Sequence, residues 1–206
     1  MKHAAVALLI LSAGGSTLLT TGCVGALKSD YPERRYYTLS AQRPGDAAAP
    51  AKEAVLRVRR FTASKVSEGS ELVTRKGESE YETDFYNAFF VPPSTQLTEQ
   101  TQRWLGSSGL FSAVVGTGSS LPETHVLEGN LVALYADRRE SASAVMEMQF
   151  MLLKVSSDPS SVLFQKSYRQ SVAISGEGSE AVVAAWNGAL GKILTSFEKD
   201  LAKIGR

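Results

Sequence analysis

Few side chains in this sequence are suited to chemistry, and that scarcity sorts the functions open to it. The 206 residues contain one cysteine and two histidines. A single thiol excludes an intrachain disulfide, a CxxC redox pair and a cysteine-rich zinc site. A Ser-His-acid triad would have to use His125, with Glu123 nearby. Serine is plentiful, but no G-x-S-x-G elbow occurs, and His125 opens a predicted strand, where an ordinary strand-end residue serves equally well. Glu78, Glu80, Glu82 and Asp84 recur at every second position and would line one strand face. A solvated face explains them; calcium is the alternative. Gly116-Thr117-Gly118 and Gly176-Glu177-Gly178 do not continue as a nucleotide-binding glycine loop and read as turns. First-row metals lack their usual ligands here. The sequence therefore assigns no catalytic, cofactor-binding or metal-ligating residue, and no enzyme activity.

The one cysteine has a different setting. Lys2 and His3 precede an apolar run from Ala4 to Ala13, and no charged residue then occurs before Lys28. This is the n-region and h-region order of an export signal, and Gly14-Gly15 makes it a poor membrane span. The run ends Leu19-Thr20-Thr21-Gly22-Cys23. A small residue directly before a lone Cys resembles the lipobox of bacterial lipoproteins, with Leu19 one place earlier than the usual leucine. That resemblance implies diacylglycerol transfer to the Cys23 sulfur, cleavage after Gly22 and acylation of the new amino terminus, typically with palmitate. Val24 rather than Asp follows the cysteine, which implies the outer membrane, facing the periplasm. Cys23 is thus the lipidation site, and its covalent lipid is the only non-protein group expected.

Composition agrees with a neutral anchored domain. The chain carries 22 Lys+Arg and 21 Asp+Glu. Loss of Lys2 with a signal over residues 1–22 leaves 21 of each, so the mature chain has no net charge. No positive field exists to hold nucleic acid. Multiple acyl chains, at about 0.8 kcal/mol per buried CH₂, would do the anchoring. At 43% hydrophobic residues a packed core is within reach.

Residues 23–34 read as a lipidated tether and residues 35–206 as one domain, with 40–54 a mobile connection rich in Ala and Pro. Short strands are predicted at Tyr36–Leu39, Val55–Phe61, Glu71–Arg75, Tyr81–Tyr86, Ala88–Val91 and Leu110–Val115. Ser94 is a plausible cap for a helix over Thr95–Ser107 with Leu97, Thr101, Trp104 and Leu105 facing inward. Three longer strands, beginning near His125, Ala144 and Val162, form a meander around the turn at Ser156–Ser160. Val182, Trp186, Leu190, Ile193, Phe197, Leu201 and Ile204 recur at helical spacing, predicting a long closing helix. The fold class is α+β: a single mixed, largely antiparallel sheet with two main helices, one mid-chain and one long and C-terminal, packed on it.

Tyr81 to Pro93 is the densest aromatic stretch. Strand alternation cannot bury all its rings on one face. Phe85, Tyr86, Phe89 and Phe90 are therefore divided between core packing and a partner surface, where aromatic residues are enriched.

The order of these features carries a resemblance. After Cys23 come Tyr36-Tyr37-Thr38-Leu39 and then Leu72-Val73-Thr74-Arg75. A helix ends in Trp104-Leu105-Gly106-Ser107-Ser108-Gly109-Leu110-Phe111, followed by Val114-Val115. Val126-Leu127-Glu128-Gly129 opens the meander, and Ala181-Val182-Val183-Ala184-Ala185-Trp186-Asn187 opens the last helix. Over residues 36–204 the chain resembles the ABC-type transport auxiliary lipoprotein family. The resemblance implies a non-enzymatic outer-membrane lipoprotein that docks a lipid-transport conduit. Its partners would be a periplasmic MCE-type protein and inner-membrane transporter components, with a homo-oligomer left open. A lipoprotein cofactor of another envelope assembly, in cell-wall synthesis or secretion, is the competing reading.

Overall fold

The computed structural model describes residues 33–46, 49, 53–156 and 161–204. Cys23 and the expected signal segment lie outside the described residues. The elements are β1 (Arg35–Tyr37), β2 (Val55–Val58), β3 (Thr62–Ala63), β4 (Glu71–Arg75), β5 (Tyr81–Phe89), α1 (Pro93–Gly106), β6 (Ala113–Val115), β7 (His125–Asp137), β8 (Ser143–Lys154), β9 (Ser161–Ala173) and α2 (Gly178–Ile204).

The strands form one mixed sheet organised by β7. One edge of β7 pairs antiparallel with β8, which pairs antiparallel with β9. The opposite edge is shared by three short strands in succession, all parallel: β2 along His125–Leu127, β3 at Asn130–Leu131 and β4 at Ala136–Asp137. Beyond β2 lies β6, and beyond β4 lie β5 and then β1. The expected α+β class and the meander are both present. The long ladders are antiparallel, while the short strands join mostly in parallel.

Alternation along the meander explains the core. Leu127, Leu131 and Leu134 on β7 and Met146, Met148, Phe150 and Leu152 on β8 are buried within one cluster. The predicted stripe of α2 covers them: Val182, Trp186, Leu190, Ile193, Phe197 and Leu201 are all buried. Phe150 and Phe197 stack face to face with centroids 4.0 Å apart. The predicted inward face of α1, Leu97, Thr101, Trp104 and Leu105, is buried as well.

Several boundaries differ from the sequence expectation, each for a local reason. Helix α1 starts at Pro93, which suits the first helical turn because its missing N–H has no role there. Ser94 is therefore inside the helix rather than its cap. The strand expected from Leu110 is confined to Ala113–Val115, after Gly109 has turned the chain with a φ of +73°. Of the separate strand expected at Ala88–Val91, Ala88 and Phe89 are instead the end of β5, and Phe90 and Val91 lie beyond it. Arg57, which alternates with the buried Leu56 and Val58 along β2, donates to the carbonyls of Gly116, Ser119 and Leu121 and to the Glu123 carboxylate, stapling the 116–123 loop. That donation also holds the Glu123 carboxyl below its usual range.

Residues at the start of the 40–54 connection make specific contacts. The backbone N–H groups of Ser40 and Ala41 donate to Asn187 and Gln100 side chains. Arg43 forms a two-bond pair with Glu198 of α2, at 3.0 and 2.8 Å.

Candidate docking surface

The aromatic stretch is shaped by an irregularity in β5. Glu71 is paired with Ala88, yet its neighbour Leu72 is paired with Asp84. Phe85, Tyr86 and Asn87 are therefore extra residues, looped out against one step of β4. Asp84 holds the loop. Its Oδ1 accepts the backbone N–H groups of Tyr86 and Asn87, at 3.0 and 3.1 Å, and its Oδ2 accepts Asn87 Nδ2 at 2.8 Å. Short polar side chains commonly bond the backbone two or three residues on, offering an alternative to the ladder. Bulges of this kind re-aim side chains, and here the period-two alternation is lost at the aromatics.

The result is two exposed phenylalanines. Phe85 and Phe90 are each 70% exposed, Tyr36 is 53% and Tyr86 42%. Phe85 and Tyr86 meet edge to face at 5.3 Å, as do Tyr36 and Phe90 at 5.9 Å. The Arg34 guanidinium joins the pairs, lying 5.7 Å from the Tyr36 ring and 5.5 Å from the Phe85 ring. Both distances are within cation–π range. Phe90 is fixed beside β1 by its N–H, which donates to Tyr37 O at 2.8 Å. Pro92 and Pro93 then turn the chain into α1. These exposed aromatic groups are joined into one patch rather than scattered singly over the surface.

Phe89 does not belong to this surface. It is 2% exposed and packs 5.7 Å from Trp186 of α2. The strand pleat points it opposite to Phe90. Of the four residues singled out in the sequence, Phe85, Tyr86 and Phe90 are brought together and Phe89 is core. Tyr36 and Arg34 complete the surface. Neither was singled out, because only the parallel pairing of β1 with β5 brings residues fifty positions apart together.

The other chemical candidates lie elsewhere. His125 begins β7, its Nδ1 2.8 Å from Thr124 Oγ1 and its ring 6.1 Å from Phe111. It borders an apolar crevice of about 210 Å³ lined by Leu110, Leu152, Leu163 and Leu201. In the acidic run, Glu78 and Glu80 both lie outside β5, in the segment before it. Glu82 pairs with Lys76 at 3.1 Å, and Asp84 is occupied by the bulge. Among the described residues no three His, Cys, Asp or Glu side chains gather as a metal-ligand group.

The family model for the ABC-type transport auxiliary lipoprotein component matches residues 37–196. The chain belongs to this family. The match spans α1, the whole meander and most of α2, and includes the bulge. As a member of a lipoprotein family it is a membrane-anchored envelope protein associated with ABC-type transport; among the described residues no helix is long and apolar enough to cross a membrane. The fold of this auxiliary lipoprotein is similar to that of a Xanthomonas campestris protein of the DUF330 family. The TM-score is 0.73 at 18% identity, covering 83% of this chain and 96% of that one. A hypothetical protein from Chlamydia trachomatis is also similar, with a TM-score of 0.52 at 11% identity over 73% of this chain and 98% of that one. At these identities the likeness concerns the fold. No curated protein sequence matches the chain.

Proposed function

We propose that this auxiliary lipoprotein is a non-catalytic docking subunit of an MCE-type lipid transport system, held at the periplasmic face of the outer membrane by lipid on Cys23. The observation that carries the reading is the exposed cluster of Arg34, Tyr36, Phe85, Tyr86 and Phe90, at the point where the segment from Cys23 joins the domain. A domain whose most exposed chemistry is aromatic surface, rather than a constellation of acids, bases and nucleophiles, is suited to binding. Family membership supplies the transport context, and Val24 after the cysteine supports the outer membrane as the destination. An MCE-type periplasmic protein and inner-membrane transporter components are the partners this reading requires.

The test is crosslinking in the native envelope with the full chain and its Cys23→Ala variant. The expected result is that the parent fractionates with the outer membrane and captures an MCE-type protein. Cys23→Ala should leave a folded, mislocalised domain that no longer supports transport. Recovery of the parent with no envelope transport component would overturn the reading.

A further inference from the structure

The aromatic cluster has a second property, its position relative to the anchor. Arg34 is eleven residues after Cys23. A chain of that length spans about 38 Å when fully extended and about 18 Å as a flexible coil. Helix α2 alone, at 27 residues, is about 40 Å long. An acylated Cys23 therefore keeps the surface around Arg34 within reach of the bilayer, at most about 38 Å from it.

We infer that the Tyr36–Phe85–Tyr86–Phe90 cluster seats in the headgroup region of the anchoring membrane. This rests on the anchored reading above and names the bilayer as the first occupant of the surface. The composition fits such an occupant. Phe85 and Phe90 carry no polar atom to satisfy in water, so insertion removes two largely exposed rings from solvent. Tyr36 and Tyr86 place hydroxyls beside those rings, the amphipathic combination found at membrane interfaces. Arg34, which already covers two of the rings, supplies a cation for lipid phosphates beside them. The nearby Asp84 carboxylate is turned onto the Tyr86 and Asn87 N–H groups but keeps its negative charge. Glu71, 3.4 Å from Arg34, is a facing carboxylate.

Seating at the cluster would fix how the domain stands on the membrane. The acyl chains alone permit any orientation. Four rings and an arginine at one end would hold α1 and the meander in a constant relation to the bilayer, so that a conduit partner always meets the same face.

The experiment uses the full lipidated chain carrying Phe90→Trp, in vesicles of phosphatidylethanolamine and phosphatidylglycerol with part of the lipid brominated high on the acyl chain. The native Trp104 and Trp186 are 3% and 0% exposed, so added quenching reports on position 90. The inference predicts a blue-shifted emission and a several-fold increase in quenching over the parent. Phe85→Trp should behave likewise, guarding against a local effect of one substitution. Unquenched, red emission from both variants on vesicles that retain the protein would overturn the inference. So would crosslinks from position 90 to a protein partner without quenching, and that outcome would leave the docking function intact. Failure of the chain to stay on vesicles at all would instead strike the lipid anchor on which both readings depend.

Discussion

The indole nitrogen of Trp104 on α1 donates a 2.7 Å hydrogen bond to Glu198 Oε2 on α2. The same carboxylate accepts Arg43 Nε at 3.0 Å and Arg43 Nη2 at 2.8 Å. One acidic side chain thus ties both helices and the segment after β1 together, and the Arg43 and Glu198 side chains are only 17% and 20% exposed. Glu198→Ala would leave the Trp104 N–H and the Arg43 guanidinium without this partner. We expect a loss of about 2–3 kcal/mol in unfolding free energy, the range for removing a charged hydrogen-bond acceptor from a partly buried site. Limited proteolysis should then cut first within residues 40–54. A variant with unchanged stability and unchanged cleavage would show that Glu198 holds neither.

Gly129 on β7 is required by close approach. A methyl group there would lie 2.6 Å from Cδ1 and Cε1 of Phe61. Phe61 is 2% exposed and meets Phe150 edge to face at 5.9 Å, so it has little room to withdraw. Gly129→Ala should destabilise by about 1–3 kcal/mol through overpacking, read as a lower thermal midpoint. Adding Phe61→Leu should recover part of that loss if the clash is the cause. Strictly additive effects in the double variant would exclude it.

Much of this architecture was legible in the amino-acid sequence. The spacing of Val182 through Leu201 predicts α2 because one helical face supplies most of its burial. The alternation of Met146, Met148, Phe150 and Leu152 predicts β8 for the same reason. What could not be read depends on non-local pairing. Strand β3 has two residues, and only its register with Asn130 and Leu131 makes it a strand. The placement of Phe85 and Tyr86 rests on a bulge held by Asp84, an acid that in sequence looks like one member of a solvated row. Arg57 alternates with Leu56 and Val58 as a surface residue would, yet its guanidinium is occupied by a loop some sixty residues later. Tyr36 reaches the candidate surface only because β1 lies parallel to the end of β5.

Two aspartates contribute to the response to acid. Arg139 donates to both carboxylate oxygens of Asp137, at 3.0 and 2.7 Å, and holds its pKa down to about 2 against burial that opposes it. Asp200 accepts Lys166 Nζ at 2.7 Å, Lys203 Nζ at 2.8 Å and Tyr168 Oη at 2.9 Å, and is held well below the ordinary carboxylate range, Lys166 contributing most. Both groups bind a proton more readily unfolded than folded. Their contribution is therefore full above a pH of about 4 and is lost as pH falls through that value toward 2. After allowance for solvent screening, each should account for about 1 kcal/mol. Denaturant titrations at pH 6 and pH 3 should show a smaller difference for Asp200→Asn than for the parent. An equal pH dependence in the two proteins would count against the assignment.

The neighbours Phe89 and Phe90 offer the sharpest separation of structure from function. Phe89 packs against Trp186 and is 2% exposed, whereas Phe90 is 70% exposed. Truncating the buried ring removes its transfer free energy and leaves a cavity, so Phe89→Ala should cost about 3–5 kcal/mol. Phe90→Ser removes a ring already in water and should change stability by no more than about 0.5 kcal/mol. If the exposed cluster docks the protein, the functional order reverses relative to stability: Phe90→Ser with Phe85→Ser should fold at the parental midpoint and still fail in transport. Unfolding curves and a transport assay on the same preparations decide it. A double variant that is both stable and fully active would remove the cluster from the function of the protein.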